Sequence, residues 1–225
     1  MNPIFYLYNE LLFRPLFNGL IFFYTALPIH DLGLAIILLT VAIRLLVSPL
    51  FWKARVAQQK LASLQPEIKK IQERFKKDKE GQGRAMMELY RDRGASPFSG
   101  CFIMLVQFPI LIALFQVFYR GFDPEGLSLL YTFVQNPGTI NPMSFGLLDL
   151  SKGNIFLGVV AALAQFYQTK LSMDLAPQAG QNEFSRMMNW QMLYIFPLFI
   201  LIWSYTFPSA LVLYWTVLSL SLIHI

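Results

Sequence analysis

The chain has 225 residues, of which 56% are hydrophobic and only 14% are charged, and its formal net charge is +5. Its apolar residues collect into continuous runs of about 20, the length needed to cross roughly 30 Å of hydrocarbon, which excludes an ordinary soluble domain and predicts an all-α polytopic membrane protein. One cysteine and two histidines provide no metal site and no nucleophilic triad, so we expect neither a cofactor nor an enzymatic active site.

The N-terminal segment, residues 1–31, is apolar but not continuously so. Its apolar run is interrupted by Glu10, Arg14, Pro15 and Asn18. These interruptions favour an amphipathic helix that lies in the membrane interface, and an additional span is the alternative. The first clear span then covers residues 32–51.

The next region, residues 52–96, is strongly polar and holds twelve of the eighteen basic residues of the chain. Apolar residues recur at helical spacing on both sides of the sequence DKEGQGR, whose Gly81 and Gly83 suit a turn. We therefore expect a hairpin of two antiparallel helices. Lysine and arginine at this density beside a span mark the cytoplasmic side of the membrane.

Four further apolar runs predict the remaining spans, at 97–121, 153–173, 189–206 and 208–225. Between them we expect an external loop at 122–152 and a cytoplasmic loop at 174–188. The predicted fold thus has five transmembrane helices, a cytoplasmic helical hairpin and an N-terminal interfacial amphipathic helix. The C-terminus is expected on the cytoplasmic side.

Arg44 lies near the middle of the first span, where a charge costs at least about 2.5–3.5 kcal/mol. No acidic residue falls within the five predicted spans, so an ion pair inside the membrane is not available. Thr40, Arg44 and Ser48 follow the spacing i, i+4, i+8 and form one polar stripe on a single helix face. The stripe predicts a hydrated cavity between helices, and the alternative is that the Arg44 side chain extends to the cytoplasmic headgroups.

The other spans carry uncharged polar residues that suit the same cavity. They are Gln107 and Gln116 in the second span, Gln165, Gln168 and Thr169 in the third, and Ser209, Tyr214, Trp215 and Thr216 in the fifth. Singly, each is explained by a hydrogen bond between helices or by an interface anchor. Together they predict a hydrophilic groove in which Arg44 is the fixed charge.

Several stretches of the sequence resemble the YidC-type membrane protein insertases. They are "LAIILLTVAIRLLVSPL", "LQPEIKKIQERFKKDK", "SPFSGCFIMLVQFPILIALFQVFY" and "FPSALVLYW", in that order. The resemblance covers residues 1–217 and implies a bacterial plasma membrane protein that inserts nascent membrane proteins and helps them to fold, alone or with the Sec translocon. Its implied partners are client chains, the ribosome and membrane lipids, but not DNA.

The resemblance also implies roles for individual residues. Arg44 falls on the arginine of the family's cytoplasm-open groove, Thr40 on a groove threonine one turn earlier, and Trp215 on an aromatic substrate contact. Ser48, Gln107, Gln168 and Tyr214 are further candidates for substrate binding in this groove. Members of the family continue into a basic cytoplasmic tail after the last span, so we expect 208–225 to be an incomplete span.

Two other classes of function fit parts of the pattern. A small anion channel or transporter could be built around Arg44, although coupled transporters usually place acidic or histidine residues within their spans. A chaperone that only helps spans to assemble after other machinery has inserted them is the second alternative.

Overall fold

The computed structural model describes residues 3–95, 99–120, 126–174 and 183–223. The remaining residues lie outside this description. They include residues 175–182 of the expected cytoplasmic loop at 174–188, the end of the last span, and several expected element boundaries. The chain begins with a helix that a π-helical turn interrupts. Its parts are α1 (Pro3–Tyr8), the π-helical turn (Asn9–Phe13) and α2 (Arg14–Ala26).

Helix α2 buries one face against the following helix. Four large side chains on this face are at most 3% exposed, and their spacing matches one side of a helix: Phe17, Leu20, Ile21 and Tyr24. Gly19 allows close approach, because a Cβ atom there would lie 3.1 Å from Cδ1 of Leu39. The N-terminal segment is thus an integral part of the hydrophobic core.

Helix α3 (Leu32–Ser63) begins where the first span was expected and continues past Phe51 without interruption. Its N-terminus is capped by Asp31, whose carboxylate accepts a hydrogen bond from the backbone N–H of Leu34 at 2.8 Å. Within the described ranges, this is the helix that is long and apolar enough to cross a membrane by the criteria of length and composition. Shorter apolar helical stretches cover Leu105–Tyr119 and Ser209–Ser221.

The polar region contains α4 (Gln65–Arg74) and α5 (Lys79–Asp92), joined by a short turn. The turn precedes the two glycines on which we expected it, so that part of the prediction is wrong. Asp78 is the reason, because its carboxylate accepts a hydrogen bond from the N–H of Gly81 at 2.9 Å and starts α5 there. A salt bridge of 2.9 Å between Arg93 and Glu67 joins the two ends of this hairpin.

Helix α6 (Ser99–Arg120) precedes the segment in which the external loop was expected. That segment contains a 3₁₀-helix (Gly126–Leu129) and two short antiparallel strands, β1 (Met143–Ser144) and β2 (Leu148–Asp149). This ribbon is a small departure, in the described chain, from the all-α prediction. At the end of β2, the hydrogen bond from Lys152 lowers the pKa of Asp149, and the two charged groups are 2.8 Å apart.

The C-terminal half consists of α7 (Ile155–Asp174), α8 (Glu183–Trp190), a π-helical turn (Gln191–Ile195), α9 (Phe196–Trp203) and α10 (Ser209–Ile223). Helix α10 lies against α7, α3 and α6, and α7 also packs on α9. The main core joins α2, α3, α6 and α10, with Leu114, Val117, Phe118 and Tyr214 among its buried side chains. The fold therefore brings the polar residues of α3, α6, α7 and α10 into one bundle.

Candidate groove site

The polar stripe on α3 faces the interior of the bundle. Thr40 and Arg44 are only 1% and 6% exposed, whereas Leu45 and Leu46, on the other side of the helix, are 69% and 80% exposed. Ser48 is half-buried on the same face as Arg44. At this level the helix turns Leu45 and Leu46 outward and its charge inward.

The Arg44 guanidinium has little direct compensation for its charge. Its carbon Cζ lies 4.8 Å from the centre of the Phe51 ring, a cation–π contact, so the side chain extends along its own helix toward the hairpin end. Its Nε is buried without a hydrogen-bond partner. None of the carboxylates in the described part of the chain forms a salt bridge with it.

Two other helices supply uncharged partners close to this charge. Tyr214 of α10 is 1% exposed, and its hydroxyl accepts a hydrogen bond of 2.8 Å from Nε2 of Gln107 on α6. Tyr214 also lies within electrostatic range of Arg44. We call Thr40, Arg44, Gln107 and Tyr214 the arginine cluster, which three helices contribute.

The hydroxyl groups of the stripe already use their protons within α3. Thr40 donates to the carbonyl of Ile36 at 2.6 Å, and Ser48 donates to the carbonyl of Leu45 at 2.8 Å. Each hydroxyl therefore offers only its lone pairs to a neighbour. Around Arg44, such acceptors complement the guanidinium, which can only donate.

A second polar cluster lies between α7 and α10, with Gln165 at its centre. The Oε1 atom of Gln165 accepts hydrogen bonds from Nε1 of Trp215 at 2.9 Å and from the hydroxyl of Ser219 at 3.0 Å. Its Nε2 donates to Gln168 at 2.9 Å and to Thr169 at 3.0 Å. We call these five residues the glutamine cluster.

Six of the seven predicted site residues thus fall into two clusters, and Ser48 lies outside both. Tyr214 and Trp215 are adjacent on α10, and because successive helical residues differ by about 100° in direction, they serve different clusters. Gln168 lies in the glutamine cluster and is hydrogen-bonded to Gln165. It is Gln165 that accepts the hydrogen bond from Trp215. The sequence places Gln165 among the polar residues that suit the groove but not among the candidates for substrate binding; its i, i+3, i+4 spacing to Gln168 and Thr169 is the signal for the cluster.

An apolar cavity of about 300 Å³ adjoins the glutamine cluster. It opens between α6, α9 and α10 and is lined mainly by aromatic and aliphatic side chains, among them Leu111, Phe115, Phe199, Trp203 and Trp215. Trp215 belongs to both environments, because its indole N–H bonds to Gln165 while its ring lies 5.5 Å from that of Phe196. A polar and an apolar surface therefore meet at this residue.

The family model described as "60Kd inner membrane protein" matches residues 22–224, which include every candidate residue. The chain belongs to the 60Kd inner membrane protein family. The resemblance recognised from the motifs is thereby confirmed.

Curated relatives agree with membership of the 60Kd inner membrane protein family. The membrane protein insertase YidC of Fusobacterium nucleatum is 33% identical over 192 residues, which cover 85% of this chain and 82% of the relative. YidC 2 of Bacillus anthracis is 35% identical over 94% of this chain and 76% of its own length. The insertase MisCA of Bacillus subtilis is 34% identical over 92% of this chain and 73% of its own.

Membership of the 60Kd inner membrane protein family gives this chain a membrane location, in agreement with the length and composition of α3. A buried charge in a membrane protein has to be compensated by partners or by water. The groups around Arg44 are uncharged hydrogen-bonding groups, which can hold water and polar peptide groups.

Proposed function

We propose that this protein is a membrane protein insertase, which moves nascent membrane proteins into the bilayer and helps them to fold. The observation that carries the proposal is the buried Arg44, which has no described carboxylate partner and faces uncharged polar groups from α6 and α10. The relatives of comparable length are themselves named insertases, which supports the same function for this chain.

The proposed topology has five spans, formed by α3, α6, α7, the helix that contains α9, and α10. The hairpin of α4 and α5 lies in the cytoplasm of a bacterial cell, and the segment that contains β1 and β2 lies outside. The density of basic residues in the hairpin supports this orientation, because basic loops stay on the cytoplasmic side.

The N-terminal helix is proposed to lie in the outer interface instead of forming a sixth span. Arg14 donates to the carbonyl of Leu129 at 3.2 Å, and the Tyr24 hydroxyl accepts from the N–H of Asn141 at 3.0 Å. These two residues are about 15 Å apart along the helix. Contacts with one loop over that distance support a helix that lies across the end of the bundle.

The mechanism that we propose separates the polar and apolar parts of a client. The apolar segments of a client enter lipid spontaneously, since burial of apolar surface contributes about 25 cal/mol per Å². The obstacle is the polar external tail of the client, which must cross the hydrocarbon of the bilayer. The arginine cluster would hold water partway across the bilayer and attract an acidic tail. The apolar cavity beside Trp215 would receive the hydrophobic segment of the same client, so that both parts move together.

The cytoplasmic hairpin is the proposed contact for the ribosome and for anionic lipid. Its lysines are exposed, among them Lys69, Lys70, Lys76, Lys77 and Lys79. Exposed positive charge at this density binds phosphate groups of either partner. Cooperation with the Sec translocon is proposed for clients with longer external segments.

Reconstitution tests the function. The purified chain is placed in vesicles of phosphatidylethanolamine and phosphatidylglycerol without a translocon, and a short client with an acidic external tail is synthesised on ribosomes. We expect protease protection of the tail only when the chain is present. Replacing residues 65–92 by a Gly-Ser linker should reduce delivery from ribosomes, with topology checked by protease digestion.

Two other outcomes would contradict the proposal. Anion flux through the vesicles without any client insertion would identify a channel. Insertion only in vesicles that also contain the Sec translocon would identify a chaperone that assists assembly. Unchanged delivery by the linker variant would mean that the hairpin serves only to set the topology.

A further inference from the structure

The turn between β1 and β2 exposes large apolar side chains. Phe145 is 62% exposed and Leu147 is 88% exposed. Phe145 also has a φ angle of 51°, in the left-handed region that a bulky side chain rarely adopts, and Gly146 follows with a φ of 68°. The chain therefore holds an aromatic residue in an uncommon conformation at a position where it makes little contact with the protein.

Hydrogen bonds attach this turn to the beginning of α3. The Ser144 hydroxyl donates to Oδ1 of Asp31 at 3.0 Å, and the N–H of Phe145 donates to Oδ2 of the same carboxylate. Asp31 is 6% exposed and immediately precedes Leu32, the first residue of the apolar helix. The exposed turn thus lies at the level where the apolar stretch of α3 starts. Ile29, two residues before Asp31, is 63% exposed.

The surrounding sequence is free of charge. No Asp, Glu, Lys or Arg occurs between Gly126 and Leu148, although the segment contains a further exposed aromatic residue, Phe133, at 77%. The first charges after it are the ion pair of Asp149 and Lys152. A loop in water normally carries charges and hides its aromatic residues, whereas a segment at a lipid surface does the reverse.

We propose that the turn Phe145–Leu147, together with Ile29, inserts into the lipid leaflet at the N-terminal end of α3. Through Asp31, the inserted turn fixes the depth of α3 in the bilayer, and with it the depth of Arg44 along the same helix. The occupant is lipid, because the patch is uncharged and lies at the end of α3 where the apolar stretch begins at Leu32. This inference rests on the membrane location and does not require the insertase activity.

Spin labels measure the depth directly. In a Cys101→Ser background, single labels are placed by Phe145→Cys and Leu147→Cys, and the full-length protein is reconstituted in phosphatidylethanolamine and phosphatidylglycerol vesicles. Lys152→Cys, at the same end of the molecule, is the matched standard for water, and Leu46→Cys on the outer face of α3 is the standard for lipid. The Leu147 site tests the proposal without the unusual backbone of Phe145.

The collision rates of each spin label with oxygen, which concentrates in lipid, and with a water-soluble nickel chelate distinguish lipid, water and protein as the surroundings of the label. We expect the ratio of oxygen to nickel collisions at 145 and 147 to be several-fold higher than at 152 and to approach that at 46. A ratio equal to that at 152 would overturn the proposal, because the turn would then lie in water. Low accessibility to both reagents would also overturn it, since a protein partner or a second copy would then cover the turn.

Discussion

Replacing Arg44 with alanine should abolish insertion of clients that have an acidic external tail, while leaving the fold at least as stable as before. A carboxylate at about 5 Å from the guanidinium gains about 3 kcal/mol at an effective dielectric constant of about 20. That energy corresponds to about a hundredfold in occupancy of the groove. Without the charge, the tail has no comparable attraction to this depth of the membrane.

The stability of the same variant distinguishes a functional arginine from a structural one. Removing a buried partner of an ion pair usually costs several kcal/mol, but Arg44 forms no salt bridge with a described carboxylate, and its Nε is buried without a partner. Its contact with Phe51 is a cation–π interaction, which contributes about 0.5–2 kcal/mol. The desolvation that alanine relieves is of similar size or larger.

Protease protection of client tails and unfolding of the purified protein measure the two effects. Arg44→Lys is the matched control and should retain most of the insertion if the charge is what matters. Clients with uncharged tails should be much less affected by Arg44→Ala. Normal insertion of acidic tails by the alanine variant, or its failure to fold, would contradict the attraction model.

Gly158→Ala is expected to destabilise the protein by about 3 kcal/mol, at the upper end of the usual cost of overpacking. A Cβ atom at this position of α7 would lie 1.9 Å from the hydroxyl oxygen of Ser204 and 2.5 Å from its Cβ. Ser204 is fully buried at the end of α9, and its hydroxyl donates to the carbonyl of Leu201 at 2.6 Å. A short, buried side chain cannot move away, so the two helices must separate.

Two further variants make this expectation specific. Ser204→Gly removes the obstructing atoms and should restore much of the stability lost in Gly158→Ala. Gly83→Ala is the matched control, because nothing lies within 4 Å of its added Cβ and the exposed helix should gain about 0.5–1 kcal/mol. Unfolding in detergent, followed by helical circular dichroism, gives the comparison. Equal stability of Gly158→Ala and Gly83→Ala would disprove the close packing of α7 on α9.

The sequence predicted the direction of the polar stripe because helical spacing alone determines which residues share a face. Thr40 and Arg44 are accordingly buried side by side. Spacing does not determine which polar groups of different helices meet, since that depends on how the helices pack. The central position of Gln165 and the bond between Gln107 and Tyr214 could therefore not be derived from it.

Helix ends were harder to predict than helix faces. The apolar run predicts the end of the first span at Phe51, but it does not predict where the helix ends: nothing in the following residues breaks a helix, and α3 continues to Ser63. Gly81 and Gly83 predict the turn of the hairpin, whereas the cap formed by Asp78 starts α5 before both glycines. The role of Asp31 depends on a strand ribbon more than a hundred residues away.

Site-specific photocrosslinking from the polar stripe tests the central claim most directly. A photoreactive amino acid at position 48 leaves Arg44 intact and lies half-buried on the same face, while position 46 on the outer face serves as the control. During synthesis of a short client with an acidic tail, we predict an adduct between the tail and position 48 and none from position 46. Absence of the adduct at 48 from a chain that still inserts the client would contradict the account.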